Sequence, residues 1–149
     1  MSILFINGSP NKNGNTAALA KVLLNGRDYE TLHLVDYKIF SYGQSFSGDQ
    51  LNEVIQKMRE AEIIVIGSPV YWHNICGSVR NLLDRFYGHV SKDELAGKKL
   101  YFLFQGAAPE NWMLKAGNYT MERFANLYGM KYMGMAANIE EAQCLAGNI

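Results

Sequence analysis

Several features that mark specialised classes of protein are missing from this sequence. Its two cysteines, Cys76 and Cys144, are far apart and form no CxxC pair, which suits a reducing, cytoplasmic compartment. No apolar run approaches the ~18 residues of a membrane-spanning helix. The first residues contain no basic segment and no cleavage site, so they predict a first strand and not a signal peptide. Fourteen Lys and Arg balance 14 Asp and Glu, so a basic surface for nucleic acid is not indicated.

The composition is that of an ordinary globular domain. Of the 149 residues, 48% are hydrophobic, and no linker, repeat or low-complexity segment interrupts them. We therefore expect one domain over residues 1–149, long enough to form a core without disulfides.

Apolar runs and helical patterns alternate along the chain. Strands are predicted at 3–7, 31–35, 63–66, 100–104 and 132–135, and helices at 15–24, 49–61 and 78–87, across 121–128, and after a capping box at 138–141. The second strand alternates as an edge strand does, whereas 63–66 is apolar throughout, as in a central strand. This pattern predicts an α/β fold, a flavodoxin-like three-layer sandwich whose five-stranded parallel sheet has the order 2-1-3-4-5. Ligands of such folds bind beyond the carboxyl ends of the strands.

The loop after the first strand has the composition of a phosphate-binding loop. It reads GSPNKNGNT and runs directly into a predicted helix, whose first N–H groups and dipole attract anions. Its glycines, Gly8 and Gly14, permit close backbone approach. The P-loop pattern does not fit, because Asn15 stands where its lysine would be, and GxGxxG is absent. The alternative is a polar loop in which Asn15 or Thr16 is an ordinary helix N-cap. The candidate side-chain donors are Ser9, Asn11, Asn13, Asn15 and Thr16.

The loop after the third strand, residues 67–78, contains two adjacent aromatic residues, Tyr71 and Trp72. A planar ligand could lie against either ring. The alternative is that both rings cover the core or a subunit interface. In the same loop, Cys76 is better explained as a small buried residue than as a redox group, and His73 as an exposed loop residue.

Together, GSPNKNGNT and GSPVYWHNICGSVRNLLDRF resemble the NADPH-dependent FMN reductase family and its relatives among iron-sulfur flavoproteins, over about residues 3–136. The resemblance implies bound FMN, with NADPH or NADH as electron donor. It assigns the FMN phosphate to Ser9, Asn11, Asn13, Asn15 and Thr16, the isoalloxazine to Pro69, Val70, Tyr71, Trp72 and Asn74, and a third contact to Gln105, Gly106 and Ala107.

The sequence departs from this family in two places. The iron-sulfur relatives carry clustered cysteines after the second strand, but residues 36–47 contain none, which argues against a cluster. Only residues 138–149 follow the last predicted strand, where relatives usually have a longer helix. The resemblance therefore predicts that a second subunit covers that strand, in a homodimer.

The resemblance implies an oxidoreductase that passes electrons from NAD(P)H through FMN to a small-molecule acceptor, namely a quinone, an azo or nitro compound, or a flavin. No Ser-His-Asp order or metal-ligand cluster is evident, and none is required, because a flavin carries its own redox chemistry. Two alternatives stay open. One is a flavodoxin-like electron-transfer protein, although flavodoxins are typically acidic and this chain is neutral. The other is a non-catalytic flavin-binding module.

Overall fold

Strands and helices alternate through the whole chain in the computed structural model, which describes residues 1–149. The strands are β1 (Ile3–Asn7), β2 (Glu30–His33), β3 (Ile63–Tyr71), β4 (Asn74–Ile75), β5 (Lys99–Gln105) and β6 (Lys131–Ala136). The helices are α1 (Asn15–Leu24), α2 (Leu51–Glu60), α3 (Gly77–Asp84), α4 (Asn111–Leu127) and α5 (Ile139–Ala146), and a 3₁₀ turn occupies Leu34–Asp36. No helix combines the length and the apolar character needed to cross a membrane.

The sheet has the predicted topology with one addition. Its parallel strands lie in the order β2-β1-β3-β5-β6, which is the predicted order 2-1-3-4-5 once the strands are counted as in the sequence. The addition is β4, a two-residue strand that pairs antiparallel with the end of β3. Asn7 lies opposite Gly67, and Pro69 lies opposite Gln105, so the carboxyl ends of β1, β3 and β5 meet at one edge.

Alternate residues of the strands face two separate cores, which makes the fold a three-layer sandwich. On one face, Ile64, Ile66 and Phe102 pack in a cluster that also holds buried residues of α2, α3 and α4. On the other face, Val65 and Leu103 join buried residues of α1 and α5. Both faces of the central strands are therefore covered, as the apolar run at 63–66 predicted.

Residues 138–149 do more than the sequence predicted. Asn138 caps α5 by accepting a hydrogen bond from the Glu141 N–H at 2.9 Å, while the Glu141 carboxylate accepts from the N–H of Ala137 at 2.7 Å. This helix packs on β6 and α1, and the Tyr101 hydroxyl donates to the Asn148 carbonyl at 2.9 Å. The chain itself therefore places a helix on this side of β6, which remains partly exposed, and the second subunit stays a prediction.

The opposite side of β6 is covered by α4. Burial raises the pKa of Tyr132, so its hydroxyl remains protonated and donates to Asn118 Oδ1 at 2.6 Å. A β-bulge at Met133 precedes Gly134. The φ of Gly134 is 118°, a backbone conformation in which residues other than glycine are strained.

Candidate functional site

The loops after β1 and β3 meet at a point with no room for side chains. The Gly8 N–H donates to the Gly67 carbonyl at 2.8 Å. A Cβ on Gly8 would lie 2.4 Å from Val79 Cγ2, and a Cβ on Gly67 would lie 2.5 Å from Thr16 Cγ2. The two glycines thus let α1 and α3 begin directly against the ends of the central strands.

Side-chain oxygens hold the first loop in shape. Asn7 Oδ1 accepts a hydrogen bond from the backbone N–H of Ser9 at 3.0 Å. In the same way, Ser9 Oγ accepts from the N–H of Asn11, and Asn11 Oδ1 accepts from the N–H of Asn13, both at 3.1 Å. These bonds use acceptor atoms only. The Ser9 hydroxyl proton and the Asn11 amide protons therefore remain as donors, which suits the recognition of an anion.

The start of α1 offers backbone donors. Its N-cap is Gly14, which has no side chain to satisfy them, so neither Asn15 nor Thr16 acts as the cap. The N–H groups of Asn15, Thr16 and Ala17 donate no hydrogen bond within the chain, and the first turn contains no acidic residue. A helix start of this kind is a suitable site for a phosphate group.

Thr16 lies beneath this surface. The residue is fully buried, and its hydroxyl accepts a hydrogen bond from Gln105 Nε2 at 3.1 Å. Ser9 is also buried, whereas Asn11, Asn13 and Asn15 are exposed. The Thr16 side chain therefore presents no surface that a ligand could touch in this structure.

Lys12 joins the first loop to the turn after β2. Its ammonium lies 2.7 Å from Asp36 Oδ2, and both side chains are about half exposed. An exposed pair of this kind contributes roughly 0–1 kcal/mol to stability.

The second loop is a tight hairpin, a feature that the sequence did not predict. Strand β3 continues through Tyr71, and β4 returns antiparallel from Asn74. The two turn residues, Trp72 and His73, have φ angles of 48° and 65°, as in the type I′ turns that favour Asn and Gly. The Trp72 side chain is 94% exposed at the tip, and the His73 ring lies edge-on to Trp112 at 5.9 Å.

The segments assigned to a planar ring are only partly brought together. Pro69 is buried within β3 opposite Gln105, and a Cβ on Gly106 would lie 3.1 Å from Val70 Cβ. Tyr71, Trp72, Asn74 and Ala107 are exposed, and Asn74 Oδ1 accepts from the N–H of Ile75 at 2.8 Å.

A cavity of about 210 Å³ lies between the first loop and the start of α3. Some of its lining residues were not predicted as ligands from the sequence. The only sequence feature that could have indicated them is that they follow the end of a strand. The Ser78 hydroxyl donates to the Gly8 carbonyl at 2.8 Å, and the N–H of buried Cys76 donates to Ser68 Oγ at 2.9 Å. The lining residues are Gly8, Pro10, Val35, Tyr71, Cys76, Gly77 and Ser78.

A larger groove of about 310 Å³ lies between α3 and α4, away from this edge of the sheet. Its exposed residues include Tyr87, Tyr119 and Leu127. We place the candidate site at the carboxyl edge of the sheet, beside the smaller cavity, because the ends of β1, β3 and β5 meet at this edge and α1 begins there with free N–H groups.

Comparison with known proteins finds relatives in sequence and in structure. In sequence, 98 residues are 41% identical to an iron-sulfur flavoprotein of Archaeoglobus fulgidus, covering 57% of this chain and 48% of that protein. The chain spans about half the length of the iron-sulfur flavoproteins that it matches.

Solved structures share the fold. The Trp repressor binding protein of Bacillus subtilis superposes with a TM-score of 0.79 at 19% identity, over 97% of this chain and 98% of that one. The apo form of an NADH:FMN oxidoreductase (EMOB) superposes with a TM-score of 0.68 at 24% identity, over 98% and 84%. The profile of the NADPH-dependent FMN reductases matches residues 1–143, and the chain belongs to that family.

Proposed function

We propose that this chain binds FMN at the carboxyl edge of its sheet and acts as an NAD(P)H-dependent oxidoreductase. The observation that carries the proposal is the start of α1, where Gly14 leaves three N–H groups without partners beside the ends of the central strands. These donors suit a phosphate dianion, and the family supplies the identity of the group that carries it. When bound, FMN supplies the redox chemistry, so no side chain has to act as nucleophile, acid or base.

In this proposal the two ends of the cofactor are held by different segments. The phosphate lies on the first loop and the helix start, with donors from Ser9, Asn11, Asn13 and Asn15 and with Thr16 supporting the first helical turn. The ring lies towards Pro69, Val70, Tyr71, Trp72 and Asn74, with Gly106 and Ala107 alongside. Exposed Tyr71 and Trp72 leave one side of this region open to a nicotinamide and then to an acceptor.

We propose the electron acceptor only as a chemical class, that of planar redox-active compounds. A quinone, an azo or nitro compound, or a free flavin is planar and could stack at the same open side. The region carries no cluster of three or more His, Cys, Asp or Glu residues that could hold a metal ion.

The test is to add NADPH, and separately NADH, to the FMN-loaded protein under anaerobic conditions. The visible absorbance of the flavin reports whether it is reduced. We expect bleaching at a catalytic rate and recovery of the colour when a quinone is added, with free FMN as control. Bound FMN that stays oxidised would leave an electron-transfer protein or a binding module. Failure to retain FMN would overturn the site.

A matched pair of variants locates the phosphate. Asn13→Asp places a negative charge on the first loop, and we expect FMN to bind about tenfold more weakly because like charges repel. Asn126→Asp makes the same change at an exposed position on α4 and should leave binding unchanged.

We also propose that two copies associate through the groove between α3 and α4. Tyr87, Tyr119 and Leu127 are 63%, 65% and 45% exposed there, an apolar surface that a partner would cover. Sedimentation should report a dimer, and Tyr119→Glu should shift it to monomer. A wild-type protein that is monomeric at micromolar concentration would refute this proposal.

A further inference from the structure

Gln105 links two parts of the site that are not neighbours in the sheet. It is the last residue of β5, and its Nε2 donates to the hydroxyl of Thr16 in α1 at 3.1 Å. The strand that precedes α1 is β1, and β3 lies between β1 and β5. The bond therefore spans the central strand and joins segments 89 residues apart.

The Thr16 side chain is held on both sides. Its methyl group occupies the space beside Gly67, where a Cβ on that glycine would lie 2.5 Å away. Its hydroxyl is held by Gln105, and the residue has no exposed surface. Thr16 thus has a single fixed place between the central strand and the end of β5.

Thr16 is the second residue of α1, so its position sets the position of the first helical turn. That turn carries the N–H groups of Asn15, Thr16 and Ala17, which have no partners within the chain. Because the strength of a hydrogen bond falls steeply with angle, the aim of these groups decides how well they bind an anion.

We infer that Gln105 is a positioning residue for the phosphate end of the site, acting through Thr16, and not a contact for the flavin ring. This inference rests on the proposed FMN site. It assigns to Gln105 a role different from the one that its family resemblance implied.

FMN and riboflavin separate the two roles, since riboflavin has the ring but no phosphate. In Gln105→Leu we expect FMN to bind about three- to tenfold more weakly, the range for one lost hydrogen bond, and riboflavin to bind as in the wild type. An equal loss for both ligands would make Gln105 a ring contact, and no loss for either would remove its role. Gln56→Leu, at an exposed glutamine bonded to Glu60 on α2, is the matched control and should change neither affinity.

A double-mutant cycle tests the route through Thr16. We expect Thr16→Val to weaken FMN binding and Gln105→Leu to add nothing in that background, while Thr16→Ser, which keeps the hydroxyl, retains most of the affinity. Additive losses would refute the route. Thermal unfolding of each variant shows whether it is folded. If Thr16→Val is unfolded, the comparison of FMN affinity between the wild type and Thr16→Ser still tests the route.

The outcomes also separate this inference from the proposed function. A wild-type protein that binds FMN while the variants lose both ligands equally would refute the inference alone. A wild-type protein that binds neither ligand would refute both.

Discussion

Gly8 shows how closely single residues are packed at the edge of the sheet that we assign to FMN. In Gly8→Ala the new Cβ would lie 2.4 Å from Val79 Cγ2 and 2.8 Å from the Gly67 carbonyl. Val79 is fully buried and β-branched on a helix, and the carbonyl belongs to a central strand, so neither can readily move away. We expect the free energy of unfolding to fall by about 1–3 kcal/mol, measured by urea denaturation.

The control for this prediction is Gly147→Ala. The Cβ there would lie 3.6 Å from the nearest atom, the Cys144 carbonyl, and the backbone is helical. Its stability should be unchanged or slightly higher, because alanine restricts the unfolded chain more than glycine does. Equal losses in the two alanine variants would show that packing at Gly8 is not the cause.

Trp72 is a residue whose backbone is strained without an evident gain from packing. Its φ is 48°, yet its side chain is 94% exposed. In Trp72→Asn we expect stability to rise by about 0.5–1 kcal/mol, because asparagine tolerates the left-handed region. We also expect slower turnover with NADPH, since strain of this kind tends to persist at functional sites.

Trp72→Phe is the matched variant, because it keeps a bulky ring at the same φ. It should be no more stable than the wild type and should keep most of its activity. If the asparagine variant were both more stable and fully active, the ring would have no role at the site.

The segment between β2 and α2 is an element in its own right, although it contains no regular structure beyond its first turn. Lys38 and Gln50 close its base with two hydrogen bonds of 2.7 and 2.8 Å. Arg85, at the end of α3, donates to the Phe40 carbonyl at 2.8 Å and pairs with Asp49. Residues 37–50 are therefore tied to the end of α3 by a partly buried guanidinium.

The Arg85–Asp49 pair predicts a pH dependence of stability. Burial acts to raise the pKa of Asp49, but bonds from Arg85 and from the Leu51 N–H outweigh it and hold that pKa below its usual value. A lowered carboxyl pKa stabilises the folded state above the unfolded pKa of about 4, and this contribution is lost as the pH falls through the folded pKa.

We therefore expect Asp49→Asn to cost about 1 kcal/mol at neutral pH and progressively less towards pH 3. Asparagine can still accept the Leu51 N–H, so the comparison isolates the charge. The measurement is urea denaturation of both proteins at several pH values. A cost that did not change with pH would rule out the ion pair as its source.

At the scale of the molecule, the sheet could be predicted from the sequence because its signals are local. The apolar run at 63–66 is part of a buried strand, and Gly-Ser-Pro follows both this run and β1. The hairpin could not be predicted, because Trp72 and His73 are not residues that its turn type favours. Nor could the start of α4, since Gly117 lowers helix propensity and is explained only by Phe104, whose ring would lie 2.3 Å from its Cβ.

The candidate site also has features that local sequence predicts and features that it does not. The free N–H groups at the start of α1 follow from a strand, a polar loop and a helix in sequence, which are local. The bond between Thr16 and Gln105 joins residues 89 positions apart, and no local pattern encodes it. The loops could be named from the sequence, but which of their side chains face a ligand depends on contacts between distant segments.

The proposed binding of FMN to the folded chain predicts a response of the whole molecule. A ligand that binds only the native state at 100 times its Kd adds about 2.7 kcal/mol to stability. For a chain of 149 residues this corresponds to a rise in Tm of about 5–10 °C. Riboflavin at equal concentration should raise Tm less, because it cannot use the helix start, and inorganic phosphate should compete with FMN. Equal rises with FMN and riboflavin would mean that the start of α1 contributes nothing to binding, and the assignment of the phosphate to that helix would fail.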